Sequence, residues 1–336
     1  MRHIAVVAVS PSRALSIPPT WRDRASMQAM LAADLPYAIE HGQLTVFYQP
    51  LLHLPSRTIT GFEALLRWQH PEIGLVPPNH FIPLAEETGW IIPLGEWVLR
   101  QSAYQIRDWQ QRFSHLPRLT MNVNVSPKQL RPELVATVEN VLAEAGIAPE
   151  ALGLELTEST LVPEIDSARQ TLARLQALRV GLRLDDFGVG YSSLSYLQTL
   201  RFDTLKIDRS FVERVATDEA TRAIVETVIE LARKLRMNIL AEGIEREEQA
   251  QRLIELGCAF GQGFLFSKPV PAESIEAMLA AAPATRDLRA LGSMLETCGE
   301  AGKNSRRIPE TSPVPCLPNS TLSLVSPGAC LSTMSS

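Results

Sequence analysis

No apolar run in this 336-residue chain approaches the ~18 residues that a membrane-spanning helix needs. Cysteine is scarce as well. Cys258, Cys298, Cys316 and Cys330 are the whole set, with no Cys-x-x-Cys pair among them. A disulfide scaffold and a thiolate metal site are thereby excluded. The six histidines show no zinc-type clustering. An excess of positive charge is also missing: 32 Lys and Arg face 37 Asp and Glu, a net charge of −5. Such a balance gives no general affinity for DNA, RNA or an anionic membrane, so an anionic ligand must be held locally. Met1 to Val9 is only faintly like a secretory leader, because its apolar stretch is short and Pro11 follows. A reducing cytoplasm is the expected location.

What is present is ordinary globular material. Hydrophobic residues make up 45% and charged residues 21%, which rules out global disorder. Three zones follow along the chain. Residues 1–26 read as an irregular segment broken by Pro11, Pro18 and Pro19. Residues 27–283 read as one folded domain. Residues 284–336 read as a disordered tail: from Thr311 to Ser336 no residue is charged, and Ser and Pro fill 11 of 26 positions.

The middle zone alternates strand-like and helix-like runs. The strand candidates are Leu44 to Leu52, Ile59 to Trp68, Leu119 to Val125, Gly153 to Leu156, Val180 to Leu184, Thr204 to Ile207, Asn238 to Ala241 and Ala259 to Phe266. Between them, Ile165, Ala168, Leu172, Leu175 and Leu178 recur at helical spacing. Ile224, Val228, Ala232 and Leu235 do the same, after Thr217-Asp218, which can cap a helix start. This alternation over ~250 residues predicts an α/β fold of the TIM-type (β/α)8 barrel class. A doubly wound sheet is the alternative, but no Gly-x-Gly-x-x-Gly follows the first strand.

Strand after strand carries a polar residue at or near its C-terminal end. These are Glu63, Asn124, Glu155 with Glu158, Asp185 with Asp186, Lys206, Glu242 with Glu245, and Gln262. In an α/β barrel those ends converge on one rim. Carboxylates crowded there stay ionised only if something offsets their repulsion. Oxygen donors without thiolates suit Mg²⁺ or Mn²⁺. The adjacent Asp185-Asp186 pair suits a two-ion site of the kind that hydrolyses phosphodiesters, with Lys206 placed to help activate a water. Taken singly, each residue has a plainer reading. Asp185-Asp186 is a turn signal, Glu245 to Glu248 the exposed first turn of a helix, His70 a structural loop residue, and Trp68, Phe81 and Trp90 core or pocket wall. Asp185 to Ser193, with Gly188 and Gly190, reads as a flexible loop beside the cluster.

These residues also carry a family resemblance. Glu63-Ala64-Leu65, within Gly-Phe-Glu-Ala-Leu-Leu-Arg-Trp, matches the signature of the EAL domain family of cyclic di-GMP phosphodiesterases. Tyr48-Gln49-Pro50 precedes it. Pro77 to Gly89, Asn124-Val125-Ser126, Glu155 to Ser159, Asp185 to Leu194, Leu205 to Phe211, Ala241 to Glu245 and Gln262 to Pro269 follow in order. The resemblance covers about residues 30 to 280. It implies a TIM-type barrel whose first strand is antiparallel, and hydrolysis of cyclic di-GMP to linear pGpG in a bacterial cell with Mg²⁺ or Mn²⁺. It implies that Glu63, Asn124, Glu155 and Asp185 hold the first ion, and that Asp185 bridges to a second near Asp186 and Glu242. It implies that Lys206 contacts the attacking water, with Glu242 a candidate base, and that Gln49, Arg67 and Gln262 line the substrate site, Arg67 at a phosphate. Glu158 is implied as the anchor of the glycine loop, and a homodimer as the assembly. Val189 departs from the family's usual Thr or small residue, which touches loop regulation rather than ligand count. Met27 to Glu40 resembles the link that often follows a GGDEF domain. A binding-only cyclic di-GMP receptor and a protein-interaction module are the rival readings.

Overall fold

In a computed structural model of the chain, which describes residues 24–157, 165–188 and 200–282, the apolar runs become strands of one sheet. The strands are β1 (Leu44–His53), β2 (Thr58–His70), β3 (Gly74–Val76), β4 (Thr120–Asn124), β5 (Leu152–Thr157), β6 (Gly181–Phe187), β7 (Thr204–Ile207), β8 (Asn238–Ala241) and β9 (Phe260–Gly261). Pairing runs β1-β9-β8-β7-β6-β5-β4-β2-β3, and β1 also pairs with β2, so eight strands close a ring and β3 hangs on β2. From β2 through β4 to β9 the ring is parallel. β1 alone runs against both its neighbours in the ring. The barrel and its antiparallel first strand are therefore as the sequence and the resemblance predict.

The α-helices are α1 (Arg24–Asp34) before the first strand, then α2 (Pro78–Thr88), α3 (Ile91–Arg112), α4 (Glu133–Ala145), α5 (Ile165–Ala177), α6 (Arg209–Val212), α7 (Glu219–Lys234) and α8 (Glu247–Glu255) between strands, and α9 (Ala272–Ala281) after the last. Helix α1 begins inside the stretch read as irregular up to residue 26. The rest of that stretch, the tail over 284–336, Glu158 and Val189 lie outside the described residues. None of the described helices is long and apolar enough to cross a membrane.

Burial explains why short strands suffice. All four residues of β7 are buried, because one face meets the barrel interior and the other meets helices. Leu205 packs among the apolar side chains between sheet and helices, while Lys206 reaches the carboxylates inside. Trp109 of α3 packs on β1 and β2 against Tyr48 and Phe62, with ring centroids 4.9 and 4.6 Å away. Trp68 and Phe81 are fully buried and meet edge to face, in keeping with a core role. His70 is a structural residue, as expected. It is buried, and its Nδ1 accepts from the amides of Glu72 and Ile73 at 3.2 and 3.3 Å. That leaves Nε2–H to donate to Asp34 of α1 at 2.9 Å.

Two expectations need correction. The run Ala259 to Phe266 is not one strand: β9 is two residues long. After Gln262 the chain turns, with the amides of Phe266 and Ser267 both reaching the Gly263 carbonyl. Gly263 lies so tightly on the Ile244 backbone that no side chain fits there. In α7, Asp218 caps the start as predicted, accepting from the Thr221 amide at 2.9 Å. Its core face, however, is Thr221, Val225, Ile229 and Ala232. Ile224 and Leu235 of the expected face are 47% and 39% exposed. Two apolar stripes coexist on this helix, and spacing alone does not say which one meets the sheet.

Candidate functional site

Register brings the polar strand ends together. Gln49 faces Glu63 across the β1–β2 pairing. Asn124 stands beside Glu155 on β4 and β5. Between Leu184 and Phe187, β6 bulges. Asp186 takes a left-handed φ of 54° there, a conformation Asp tolerates better than most residues. Its amide donates to Asp185 Oδ1 at 2.8 Å. The bulge turns Asp185 into the barrel and leaves Asp186 exposed at its edge. The two aspartates are thus part of a strand irregularity, not of a following turn.

At the centre stands Lys206, fully buried. Its Nζ lies 2.5 Å from Glu155 Oε2, 3.0 Å from Asp185 Oδ2 and 2.5 Å from Glu242 Oε1. Burial works against the ammonium, but Glu155, Glu242, Glu63 and Asp185 outweigh it and hold its pKa well above the usual lysine value. Lys206 is therefore a permanent cation. The carboxylates are crowded in turn. Burial pushes Glu155 up to about 7 against the pull of Lys206. Burial likewise holds Glu242 well above the usual carboxylate range. Burial and the neighbouring Asp185 raise Asp186.

Amides tie the remaining carboxylate in place. Asn124 Nδ2 donates to Glu63 Oε1 at 2.7 Å, and Gln262 Nε2 donates to Glu63 Oε2 at 2.7 Å and to Glu242 Oε1 at 3.2 Å. Gln49 is buried beside this network and donates to the Ser267 carbonyl at 3.0 Å. Arg67 lies partly buried near Glu63, which offsets the lowering of its pKa by burial. Its Nη1 donates to the Leu66 carbonyl at 2.9 Å, and its guanidinium stacks on Phe47. The structure thus joins Glu63, Asn124, Glu155, Asp185, Lys206, Glu242 and Gln262 in one network, with Gln49, Arg67 and Asp186 on its margin.

Among the described residues, no three Asp, Glu, His or Cys side chains form a ready-made metal cage. Lys206 and the two amides fill the gaps between carboxylates that cations would otherwise bridge. The donor set still fits a hard divalent ion. Glu155 Oε1 and Gln262 Oε1 are buried without a hydrogen-bond partner, which is the condition of an oxygen left free for a ligand.

A cavity of about 150 Å³ opens beside the network, lined by Gln49, Arg209, Glu242, Gly243, Glu245, Gln262, Gly263 and Phe264. Arg209 and the half-exposed Phe264 were not singled out from the sequence. Both sit inside quoted motifs, but neither ends a strand, and strand ends were the only positional signal used. Asn122 and Arg183 were missed too. Each lies two residues before a recognised site residue, so period-2 alternation places it on the same inner face.

Comparisons with known proteins agree with this geometry. The EAL domain family model matches residues 32–269. The bifunctional diguanylate cyclase/cyclic di-GMP phosphodiesterase MucR of Pseudomonas aeruginosa is 44% identical over 257 residues, which are 76% of this chain and 37% of MucR. The cyclic di-GMP phosphodiesterase NbdA of the same species is 40% identical over 259 residues, 77% of this chain and 33% of NbdA. The chain thus spans about a third of the length of these relatives. Among solved structures, the MucR phosphodiesterase in complex with c-di-GMP superposes with a TM-score of 0.70 at 43% identity, covering 73% of this chain and 99% of that one. The EAL enzyme Bd1971, bound to cAMP and cyclic di-GMP, gives 0.72 at 35% identity, covering 77% and 70%.

Proposed function

The chain belongs to the EAL domain family, and from that premise we propose that it hydrolyses cyclic di-GMP to linear pGpG with the help of Mg²⁺ or Mn²⁺. The observation that carries the proposal is Lys206, buried among Glu155, Asp185 and Glu242 at the C-terminal rim of a barrel. A cluster so rich in carboxylate is a poor place for a phosphodiester unless cations intervene. Glu63, Asn124, Glu155 and Asp185 would hold one ion, and Asp185, Asp186 and Glu242 a second. Such ions supply Lewis acidity toward the phosphate and a water of lowered pKa.

The chain's own residues do the rest. Arg67 offers a guanidinium for a substrate phosphate, and its seat on Phe47 limits the freedom it loses on binding. Gln49 and Gln262 line the cavity and hold the substrate against Glu242. Lys206 donates hydrogen bonds to Glu155 and Asp185 and lies in ion-pair contact with Glu242, which leaves a third N–H for the attacking water. Glu242 lies on the same ammonium and is the candidate base. In this reading the protein works in the bacterial cytoplasm, as a homodimer, with the domain at 27–283, Glu158 as anchor of the glycine loop, and an inactive cyclic di-GMP receptor as the rival.

Steady-state kinetics on cyclic di-GMP with Mn²⁺ test the reading. Lys206→Met is expected to cut kcat about 100-fold or more and to change KM little. A loss confined to KM would contradict the role given to Lys206.

A further inference from the structure

Beneath the rim, one step down the register, the barrel holds a second polar layer. Asn122 pairs with Gly153, and Gly153 with Gly181. Arg183 stands beside Glu155 and Thr204. The two glycines leave open space at this level. A Cβ on Gly153 would lie 2.5 Å from Asn122 Oδ1 and 2.8 Å from Arg183 Nε, so both polar atoms crowd over a residue with no side chain. Asn122 is 0% exposed, and neither its Oδ1 nor its Nδ2 has a hydrogen-bond partner among the described residues. Arg183 Nε is enclosed and unpartnered in the same way. The arginine sits in the field of three carboxylates: Glu155 first, then Asp203 at the foot of β7, then Glu63.

A guanidinium whose Nε–H is enclosed and unpaired is costly, and an orphaned buried amide near it adds to that cost. Ordinary packing does not call for either. The carboxylates above give a reason. Glu155, Asp185 and Glu242 share Lys206 as their only direct ion-pair partner among the described residues, and Glu63 is held by the amides of Asn124 and Gln262 alone. We propose that Arg183 is a positioning residue: a cation beside Glu155 in the register that holds the carboxylate ring together when no divalent ion is bound. It does for the empty barrel part of what metal does for the loaded one. Its charge repels the incoming ions, so removing it makes the protein depend more on metal. This inference rests on reading the rim as a divalent-cation site.

Thermal unfolding of the full chain tests it without any activity readout. Midpoints are measured with a chelator and with saturating Mn²⁺ for the wild type, Arg183→Lys and Arg183→Met. Binding to the folded state alone raises the midpoint by mass action. The wild type is expected to gain from Mn²⁺. Arg183→Met is expected to gain more than the wild type by about 3 °C or more, and Arg183→Lys, which keeps the charge, to gain as the wild type does. Asn122→Ser carries the same comparison should Arg183→Met fail to fold: it keeps the charge but opens the space over Gly153 in which Arg183 Nε lies, and a smaller excess gain is expected. A variant that lowers the midpoint equally with and without Mn²⁺ shows a packing role and overturns the inference. A wild type that gains nothing from Mn²⁺ overturns both the inference and the metal reading beneath it.

Discussion

A lysine with no exposure, held by three carboxylates, is the residue around which this site is organised. Glu63 is the one carboxylate of the inner ring that Lys206 does not touch directly; amides of Asn124 and Gln262 aim it instead. Glu63→Ala removes an oxygen donor, leaves the Asn124 amide unpaired and leaves the Gln262 amide with Glu242 alone. Hydrolysis of cyclic di-GMP by this variant is expected to fall to background in a product assay, and unchanged turnover would remove Glu63 from the metal-binding set. Cys258 shows the opposite case of a reactive group made inert. Burial pushes its thiol up to about 12, from 9.0, and it is 1% exposed. The thiolate is the nucleophile, so native protein at pH 8 is expected to leave Cys258 unalkylated by iodoacetamide, read by peptide mass spectrometry. Its sign with pH is also fixed. The folded state keeps this proton longer than the unfolded state, so the thiol's contribution to stability declines as pH rises from about 9 toward about 12.

Element by element, the sequence was legible wherever two signals agreed. β7 and β8 match the expected runs residue for residue, because a short apolar run flanked by turns leaves one placement. The core face of α5 is also as expected, with Ala168, Leu172 and Leu175 buried. Legibility failed where the deciding contact is distant in sequence. The length of β9 is set by the Ile244 backbone pressing on Gly263, and the face of α7 by the strands it covers. A side chain at position 263 has no room, so Gly263→Ala is expected to displace Gln262. Unfolding in urea should show a loss of more than about 1 kcal/mol, and wild-type stability would contradict the close approach. His70→Ala leaves two amides unpaired and frees Asp34 of α1. It is expected to cost about 2 kcal/mol in the same measurement.

For the whole molecule, barrel closure is what turns scattered polar residues into a site. β1 runs against its neighbours yet pairs with both β2 and β9, so Gln49 comes beside Glu63 and the ring from Glu63 to Gln262 is complete. The ring itself was legible in advance because every member sits in a quoted motif and all but Glu63, which lies mid-strand in β2, stand at or near the end of a strand. The polar layer of Asn122 and Arg183 was not, because nothing in the sequence marks Gly153 as the gap they fill. The central claim is that this ring, loaded with divalent ions, cleaves cyclic di-GMP. The most direct measurement is to incubate the purified chain with cyclic di-GMP and Mg²⁺ or Mn²⁺, with and without a chelator, and to separate the products by chromatography. The account predicts pGpG with metal and none with chelator. Nucleotide bound but never cleaved, under either metal, would contradict it and make the chain a receptor.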